Sequence, residues 1–358
     1  MQCTNQLKQI GLAVQNYHDP FKSFPAAGGW VINQRTISAT PAVQAYELWG
    51  TMLFICPFIE QQARYDTVMN RVVDGAAPWT YDEAIRPWWG WSTTMSYPGY
   101  AGQIAAIRCP SDGQSFPGHL APRSNYMFSR GDVGYGTNPW QNREGTVTLP
   151  AYDPDSSNNW GQKCASYAVK RGMFGLHHWK TMGSVTDGTS NTIAVSEGLV
   201  SDGSRDVKRN LGQSIEASPD NAPLARCGKA VLTADGVTFL DSVTVFQNGD
   251  VNIQSCRGIR GFAAQMTYSG FNTVFPPNSP QCMASNGAGE GGWGFFSPTS
   301  NHTGGVNAAY VDGSVHFISD TIDCGNLAHA EGARGGQSWY GAWGALGSIN
   351  GRESRDVP

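Results

Sequence analysis

The first twenty residues carry a regular pattern of apolar positions. These positions are Cys3, Leu7, Ile10, Val14 and Tyr17. Their spacing of four, three, four and three residues places them on one face of a helix. The opposite face carries Asn5, Lys8, Gln9 and Asn16, and Pro20 is expected to stop the helix. The pattern predicts an amphipathic helix with a packing face that includes Leu7, Ile10, Val14 and Tyr17.

The start of this helix lacks a capping residue. No Ser, Thr, Asp or Asn precedes the pattern, which is already running at residue 3. A helix whose first part lies upstream has this appearance, and so does a natural terminus that frays. The apolar pattern alone leaves both interpretations open.

A second pattern, near the C-terminal end, has the two-residue period of a strand. Residues 306–311 alternate, Asp312-Gly313 supplies a tight turn, and residues 314–318 return. A two-residue turn pairs Val311 with Ser314, Tyr310 with Val315 and Ala308 with Phe317. The apolar face of the hairpin is then expected to hold Tyr310, Ala308, Val315 and Phe317. Such a face must pack against another element.

Turn-forming residues are frequent in the rest of the chain. The sequence contains 44 glycines, 20 prolines and six Asp-Gly pairs, and Asp-Gly favours tight hairpin turns. Residues 192–196 form a short β-branched run that predicts a strand. No stretch has the composition of a linker. We therefore predict an α+β fold in which the N-terminal helix packs on an antiparallel sheet with long loop insertions.

Charge and motifs exclude several function classes. The net charge is −4 and the 24 basic residues are scattered, so nucleic acid is not an expected partner. No nucleophile elbow, Walker A loop or dinucleotide fingerprint occurs. We therefore predict no catalytic residues and no enzymatic function. The run Trp88-Trp89-Gly90-Trp91 is equally consistent with core packing and with a subunit contact or sugar platform.

Eight cysteines are spread widely along the chain. They are Cys3, Cys56, Cys109, Cys164, Cys227, Cys256, Cys282 and Cys324. None forms a C-x-x-C pair, so the spacing does not indicate a zinc or redox motif. An even number of separated cysteines favours disulfides in an oxidising compartment, and buried thiols are the alternative. Eight cysteines allow about 105 pairings, so the sequence leaves the connectivity open.

Short segments along nearly the whole chain resemble one large bacterial family. They include residues 2–13, 16–18, 23–25, 56–61, 108–112, 187–197, 270–282, 302–318 and 343–347. The most specific is His302, nine intervening residues, and then Asp312-Gly313. The family is abundant in planctomycetes and combines a prepilin-type cleavage/methylation signal with a domain of unknown function.

This resemblance implies an architecture. Residues 1–24 correspond to the C-terminal part of a pilin-type helix, and residues 25–358 to a single β-rich head domain with insertions. The apolar hairpin face is then expected to pack against the helix. The upstream part of the helix, which anchors and polymerises such proteins, is expected to be missing from this chain. It is the only segment through which we expect contact with a membrane.

The function implied is that of a pilin-like or pseudopilin-like subunit of a surface filament or secretion pseudopilus. The expected partners are copies of the chain itself or other pilin-like subunits. The expected location is the cell surface or the extracellular space. The alternative is a surface-exposed binding module for a glycan or a protein, which could depend on calcium.

Two motifs are candidates for metal binding. Asp187, Thr189, Asn191 and Glu197 offer side-chain oxygens, the first three at alternate positions, as in calcium loops. The EF-hand pattern fails, because Thr192 and Gly198 stand at its sixth and twelfth positions. Calcium is thus the one cofactor left open, and a side-chain-capped turn is favoured over it.

His302 and Asp312 form the second candidate pair. A six-residue strand between them would hold them roughly 20 Å apart, which argues against a shared metal site. We therefore predict structural roles: Asp312 with Gly313 makes the turn, and His302 anchors the loop that enters the strand.

Overall fold

The protein has an α+β fold, as the sequence predicts. The computed structural model describes residues 1–29, 49–73, 101–115, 121–134, 171–175, 178–215, 227, 232–245, 256–284, 294–329 and 336–352. Cys164 and the tryptophan run at 88–91 lie outside these residues. Within them, no helix combines the length and the apolar character required to cross a membrane.

The first helix, α1 (Gln2–Phe21), is the longest of the described elements. Its inward face is buried and consists of Cys3, Gln6, Leu7, Ile10, Gly11, Ala13, Val14 and Tyr17. The helix continues through Pro20 for one residue and ends at Lys22, which has a left-handed conformation with φ 53°. The amide of Lys22 donates a hydrogen bond to the carbonyl of His18, which closes the last turn.

Two short helical turns and one longer helix follow α1 and pack against it. They are α2 (Thr51–Phe54), a 3₁₀ turn (Cys56–Ile59) and α3 (Gln62–Val73). A two-stranded ribbon of β1 (Gly28–Gly29) and β2 (Trp49–Gly50) precedes them. Met52, Leu53 and Cys56 belong to the same buried cluster as the inward face of α1. These turns thus add to the hydrophobic layer on which the helix rests.

The central sheet has five strands in the order β11-β10-β4-β3-β7. The strands are β3 (Tyr126–Ser129), β4 (Ile193–Glu197), β7 (Gly270–Phe271), β10 (Gly305–Tyr310) and β11 (Val315–Ser319). Their pairings are antiparallel except for β3 with β7, which is parallel. The expectation of a purely antiparallel sheet is therefore wrong at this edge.

A second sheet has four strands in the order β6-β5-β8-β9. They are β5 (Leu211–Ile215), β6 (Thr244–Val245), β8 (Gln281–Ala284) and β9 (Gly294–Phe295). β5 and β8 run parallel, so this sheet is also mixed. The described part of the chain is completed by α4 (Met266–Ser269) and α5 (Gly341–Gly347).

The register of the C-terminal hairpin differs from the prediction by one residue. Ala309 pairs with Val315 and Ala308 with His316, whereas the prediction paired Ala308 with Phe317. The amide of Tyr310 donates to the carbonyl of Ser314, so the loop has three residues, 311–313, instead of two. Gly313 takes the left-handed conformation that such a loop needs, with φ 82°.

This shift divides the predicted apolar face between the two sides of the sheet. Tyr310 and Ala308 pack with Trp343 and Leu346 of α5. Val315 instead packs against the cluster that contains α1, and Phe317 is 52% exposed. The prediction that Tyr310, Ala308, Val315 and Phe317 together receive α1 is therefore wrong. A register shift of one residue turns every side chain of a strand to its other face.

The residues of β10 that do receive α1 are small. A Cβ placed on Gly11 would lie 3.3 Å from the Cβ of Ala309 and 3.6 Å from the Cα of Gly313. Helix and strand can therefore approach closely only because neither carries a large side chain at the crossing. The sheet is consequently covered on both faces, by α1 on one and by α5 on the other.

One lysine is buried close to the end of α1. The Lys180 ammonium donates to the carbonyl of Gly172, and the Lys180 carbonyl accepts from the amide of Phe24. Burial lowers the pKa of the Lys180 amine from 10.5 to about 7. The charged form is thus disfavoured in the folded state.

Leu7→Ala and Leu12→Ala test the docking of α1. Leu7 is fully buried, whereas Leu12 is 45% exposed on the same helix. We expect Leu7→Ala to lower the free energy of unfolding by about 2–5 kcal/mol, since it leaves a cavity. Leu12→Ala should lower it by less than about 0.5 kcal/mol. Urea unfolding of both variants checks this, and equal losses would contradict the packing described.

Lys180→Met tests the buried amine. Between about pH 7 and about pH 9 the folded amine is deprotonated while the unfolded amine keeps its proton, so raising the pH favours the folded state. We expect the stability of the wild type relative to Lys180→Met to rise by about 1.4 kcal/mol per pH unit in this window. Urea unfolding at several pH values measures the difference, and a constant difference would contradict it.

Candidate functional site

A disulfide fastens the first turn of α1 to the body of the protein. Cys3 is bonded to Cys109, with 4.9 Å between their Cα atoms. Cys109 precedes a 3₁₀ turn, Pro110–Asp112, which lies beside the start of the helix. Both cysteines are buried, at 5% exposure each. The cross-link closes a sequence separation of 106 residues.

Polar groups hold the Cys109 segment in place. The amide of Cys109 donates to Oδ1 of Asn125 at 3.0 Å. The Ser111 hydroxyl lies 2.9 Å from Sγ of Cys109. Nδ2 of Asn301 donates to the carbonyl of Ser111 at 2.8 Å, which ties the segment to the loop before β10.

Glu197 and His302 meet at the same corner. Nε2 of His302 lies 3.0 Å from Oε1 of Glu197. The amide of Asn307 donates to Oε2 of Glu197 at 2.8 Å, and Nδ2 of Asn307 donates to both carboxylate oxygens. Glu197 ends β4 and is 1% exposed, so these hydrogen-bond partners take the place of solvent around its carboxylate.

Tyr126 links this corner to the helix. Its hydroxyl donates to the carbonyl of Cys3 at 3.1 Å and to Oε1 of Gln6 at 2.9 Å. Tyr126 lies opposite Glu197 in the β3–β4 pairing. Burial, and secondarily the Glu197 carboxylate, raise the pKa of Tyr126 far above its usual value. The phenol therefore remains a hydrogen-bond donor to α1.

A buried carboxylate, Asp112, organises the other side of the Cys109 turn. It is 4% exposed and accepts from Nδ2 of Asn125 at 2.8 Å and from the amide of Val200 at 3.3 Å. Its other oxygen lies 2.6 Å from the guanidinium of Arg209, and Arg108 lies 3.6 Å away. The paired charges and hydrogen bonds together offset the free-energy cost of burying the Asp112 carboxylate.

Four potential metal ligands converge at this corner. Sγ of Cys3, Sγ of Cys109, a carboxylate oxygen of Glu197 and a nitrogen of His302 all lie within 4.8 Å of one another. Thiolate, imidazole and carboxylate are the groups that zinc binds in proteins. Three of these residues are buried, while the His302 side chain is 28% exposed and borders solvent.

The structure does not bring together the four predicted calcium ligands. Asp187 accepts hydrogen bonds from the amides of Gly351 and Arg352, and Nδ2 of Asn191 donates to the Asp187 carbonyl. Asp187, Thr189 and Asn191 therefore form a side-chain-capped turn. Glu197 lies beyond them at the far end of β4, a strand of roughly 13 Å. These four residues therefore do not come together as the calcium site that the sequence left open.

His302 and Asp312 lie at opposite ends of β10. Oδ1 of Asp312 accepts from the amide and the hydroxyl of Ser314, and Gly313 completes the turn. The ring of His302 reaches sideways to Glu197, a contact that the sequence did not indicate. The sequence held one indication of this corner: its four residues come from four of the segments that carry the family resemblance.

The remaining cysteines occupy other regions. Cys227 and Cys282 form a second disulfide. Cys56, Cys256 and Cys324 lie outside both bonds. Burial raises the pKa of the Cys56 thiol to about 12, so it remains protonated and unreactive. Two disulfides are consistent with an extracellular location.

Comparison with known proteins supports the coarser part of the resemblance, a family with a domain of unknown function. Residues 1–325 match the family described as "Protein of unknown function (DUF1559)". The chain belongs to this family. No curated protein and no solved structure matches. The expected membership of a family with a domain of unknown function is confirmed, and the family description states no activity.

Asp112→Asn tests the buried charge network. Removing the carboxylate charge leaves the guanidinium of Arg209, whose side chain is 12% exposed, with only partial compensation, so we expect a loss of about 3–5 kcal/mol in the free energy of unfolding. Asp206→Asn is the matched control, because Asp206 lies 4.0 Å from the same arginine but at the surface. It should cost less than about 1 kcal/mol. Thermal and urea unfolding compare the two, and equal costs would contradict the network.

Proposed function

We propose that this protein is an exported, pilin-like structural subunit that assembles with copies of itself or with related subunits through α1. In this proposal the head domain is carried at the cell surface and the helix is its assembly element. The proposal assigns the chain a structural instead of a catalytic role. It extends the family membership, which by itself names no function.

The observation that carries the proposal is the way α1 is fixed to the head. The disulfide to Cys109 and the hydrogen bonds from Tyr126 hold its first turn. The buried stripe then holds the next four turns against the sheet and the short helical turns. A helix held in this way cannot shift on its own head domain. Contacts between the helices of neighbouring subunits would therefore also fix the orientation of their head domains.

The outer face of α1 supports the same proposal. Its exposed large apolar side chains are Leu12, 45% exposed midway along the helix, and Phe21, 57% exposed in its last turn. Leu12 lies between Lys8 and Asn16 and offers an apolar contact that the described part of the head domain leaves partly uncovered. Two disulfides support export, because they persist in oxidising compartments.

Electron microscopy of the native protein tests the proposal. We expect surface fractions to contain fibres or regular oligomers built from this chain. Leu12→Glu should abolish or sharply reduce them, since it places a charge in the subunit contact. Asn16→Glu is the matched control, because it adds the same charge one turn further along an exposed part of the helix.

The control should assemble like the wild type. Dispersed single particles of the wild-type protein would contradict the proposal and favour a surface binding module for a glycan or a protein. Assembly that is unaffected by Leu12→Glu would show that α1 is not the contact. Circular dichroism of both variants confirms that the fold is retained.

A further inference from the structure

We propose that Cys3, Cys109, Glu197 and His302 form a binding site for one zinc ion when the Cys3–Cys109 disulfide is reduced. The site would be closed in the disulfide form and open in the dithiol form. It uses residues from α1, from the turn after Cys109, from the end of β4 and from the loop before β10.

The four ligand atoms lie close enough together to converge on one zinc ion when the disulfide is open. The four ligand atoms lie within 4.8 Å of one another. Zinc binds sulfur at about 2.3 Å and nitrogen or oxygen at about 2.0–2.2 Å, so tetrahedral ligands lie roughly 3.3–3.8 Å apart. The His302 and Glu197 atoms are 3.0 Å apart and need to move little. The two sulfurs can move apart to this spacing once the bond between them is broken.

The chemistry of the ligands selects a transition metal. Thiolate and imidazole favour zinc over calcium and magnesium, which take oxygen ligands. Nε2 of His302 and Oε1 of Glu197 lie 3.0 Å apart as hydrogen-bond partners in the disulfide form. A metal ion between them would replace this hydrogen bond and bind both atoms. This site differs from the calcium candidate that the sequence left open, with Glu197 as the one residue in common.

The surrounding groups orient the ligands as they do in zinc sites. Asn307 donates to Glu197 through its amide and its side chain, which fixes the carboxylate. The Ser111 hydroxyl lies beside the Cys109 sulfur and can donate to its thiolate. Such partners hold ligands in place before the metal arrives. The partial exposure of His302 gives an ion a path from solvent.

Opening the site consumes two electrons. The Cys3–Cys109 bond breaks when two molecules of a small thiol each give one electron and one proton, which yields two cysteine thiols and one disulfide of the reductant. Zinc binding then releases the two thiol protons to solvent. Oxidation of the dithiol by a small disulfide reverses these steps and expels the ion.

Cobalt titration of the full chain tests the site, because Co²⁺ occupies zinc sites and absorbs light when thiolates bind it. After reduction with a small thiol and removal of the excess, we expect one Co²⁺ per chain with thiolate-to-metal absorption, displaced by one Zn²⁺. The oxidised protein should bind none. Equal binding by the oxidised and reduced chains would overturn the proposal, as would the absence of binding after reduction.

Variants separate this site from the other cysteines. Cys3→Ser should abolish the thiolate signal, and His302→Ala and Glu197→Gln should each weaken Zn²⁺ binding at least tenfold. Cys227→Ser and Cys56→Ser are matched controls, one from the other disulfide and one a buried thiol. Both should bind like the wild type. Loss in Cys227→Ser with retention in Cys3→Ser would overturn the assignment.

Folding must be separated from binding in these variants. His302→Ala leaves both cysteines in place and keeps the two donors of Asn307 on Glu197, and the histidine itself is partly exposed. Its circular dichroism should match that of the wild type while its zinc affinity falls. Unchanged affinity in a folded His302→Ala protein would contradict the proposal even if Cys3→Ser failed to fold.

Discussion

The packing of α1 against the central sheet is the interaction on which the rest of the structure depends. Its buried stripe contributes to the largest hydrophobic cluster among the described residues, which also includes the short helical turns and parts of β3, β4 and β10. The close approach at Gly11 and Ala309 sets the distance between the two layers. The other face of the sheet is then left for Trp343 and Leu346. The hairpin, the corner at Glu197 and the C-terminal helix all take their positions from this layered arrangement.

The helix and the hairpin show how much of the structure can be predicted from local sequence patterns. A period near 3.6 identifies the buried side of α1 because helix geometry fixes which residues share a face. The sequence pattern predicted the position of the hairpin turn but not its length, because Asp312-Gly313 fits both a two-residue and a three-residue loop. The amide of Val311 bonds to the carbonyl of Thr192. This contact with a distant segment favours the longer loop, and no local pattern contains it.

The candidate site illustrates the same limit at longer range. Each of its residues stood in a recognisable motif, yet Cys3 and His302 are almost 300 residues apart. Alternating oxygens suggested calcium at Asp187, but the side chain of Glu197 points into a corner occupied by His302 and Asn307. Only the antiparallel pairing of β4 with β3 and β10 creates that corner. The carboxylate of Glu197 is buried at the end of β4, which costs free energy. Its hydrogen bonds with Asn307 and its contact with His302 explain how the fold tolerates it.

The Cys3–Cys109 bond also determines how the molecule bears mechanical load. A pull applied across the two chain ends passes from residue 3 directly to residue 109, because the covalent bond is the shorter path. Residues 4–108 form a closed loop that carries no tension, and most of α1 lies inside it. The second bond removes residues 228–281 from the load in the same way. Reducing the first bond would place α1 in series with the sheet, where the docked stripe would have to resist the force alone.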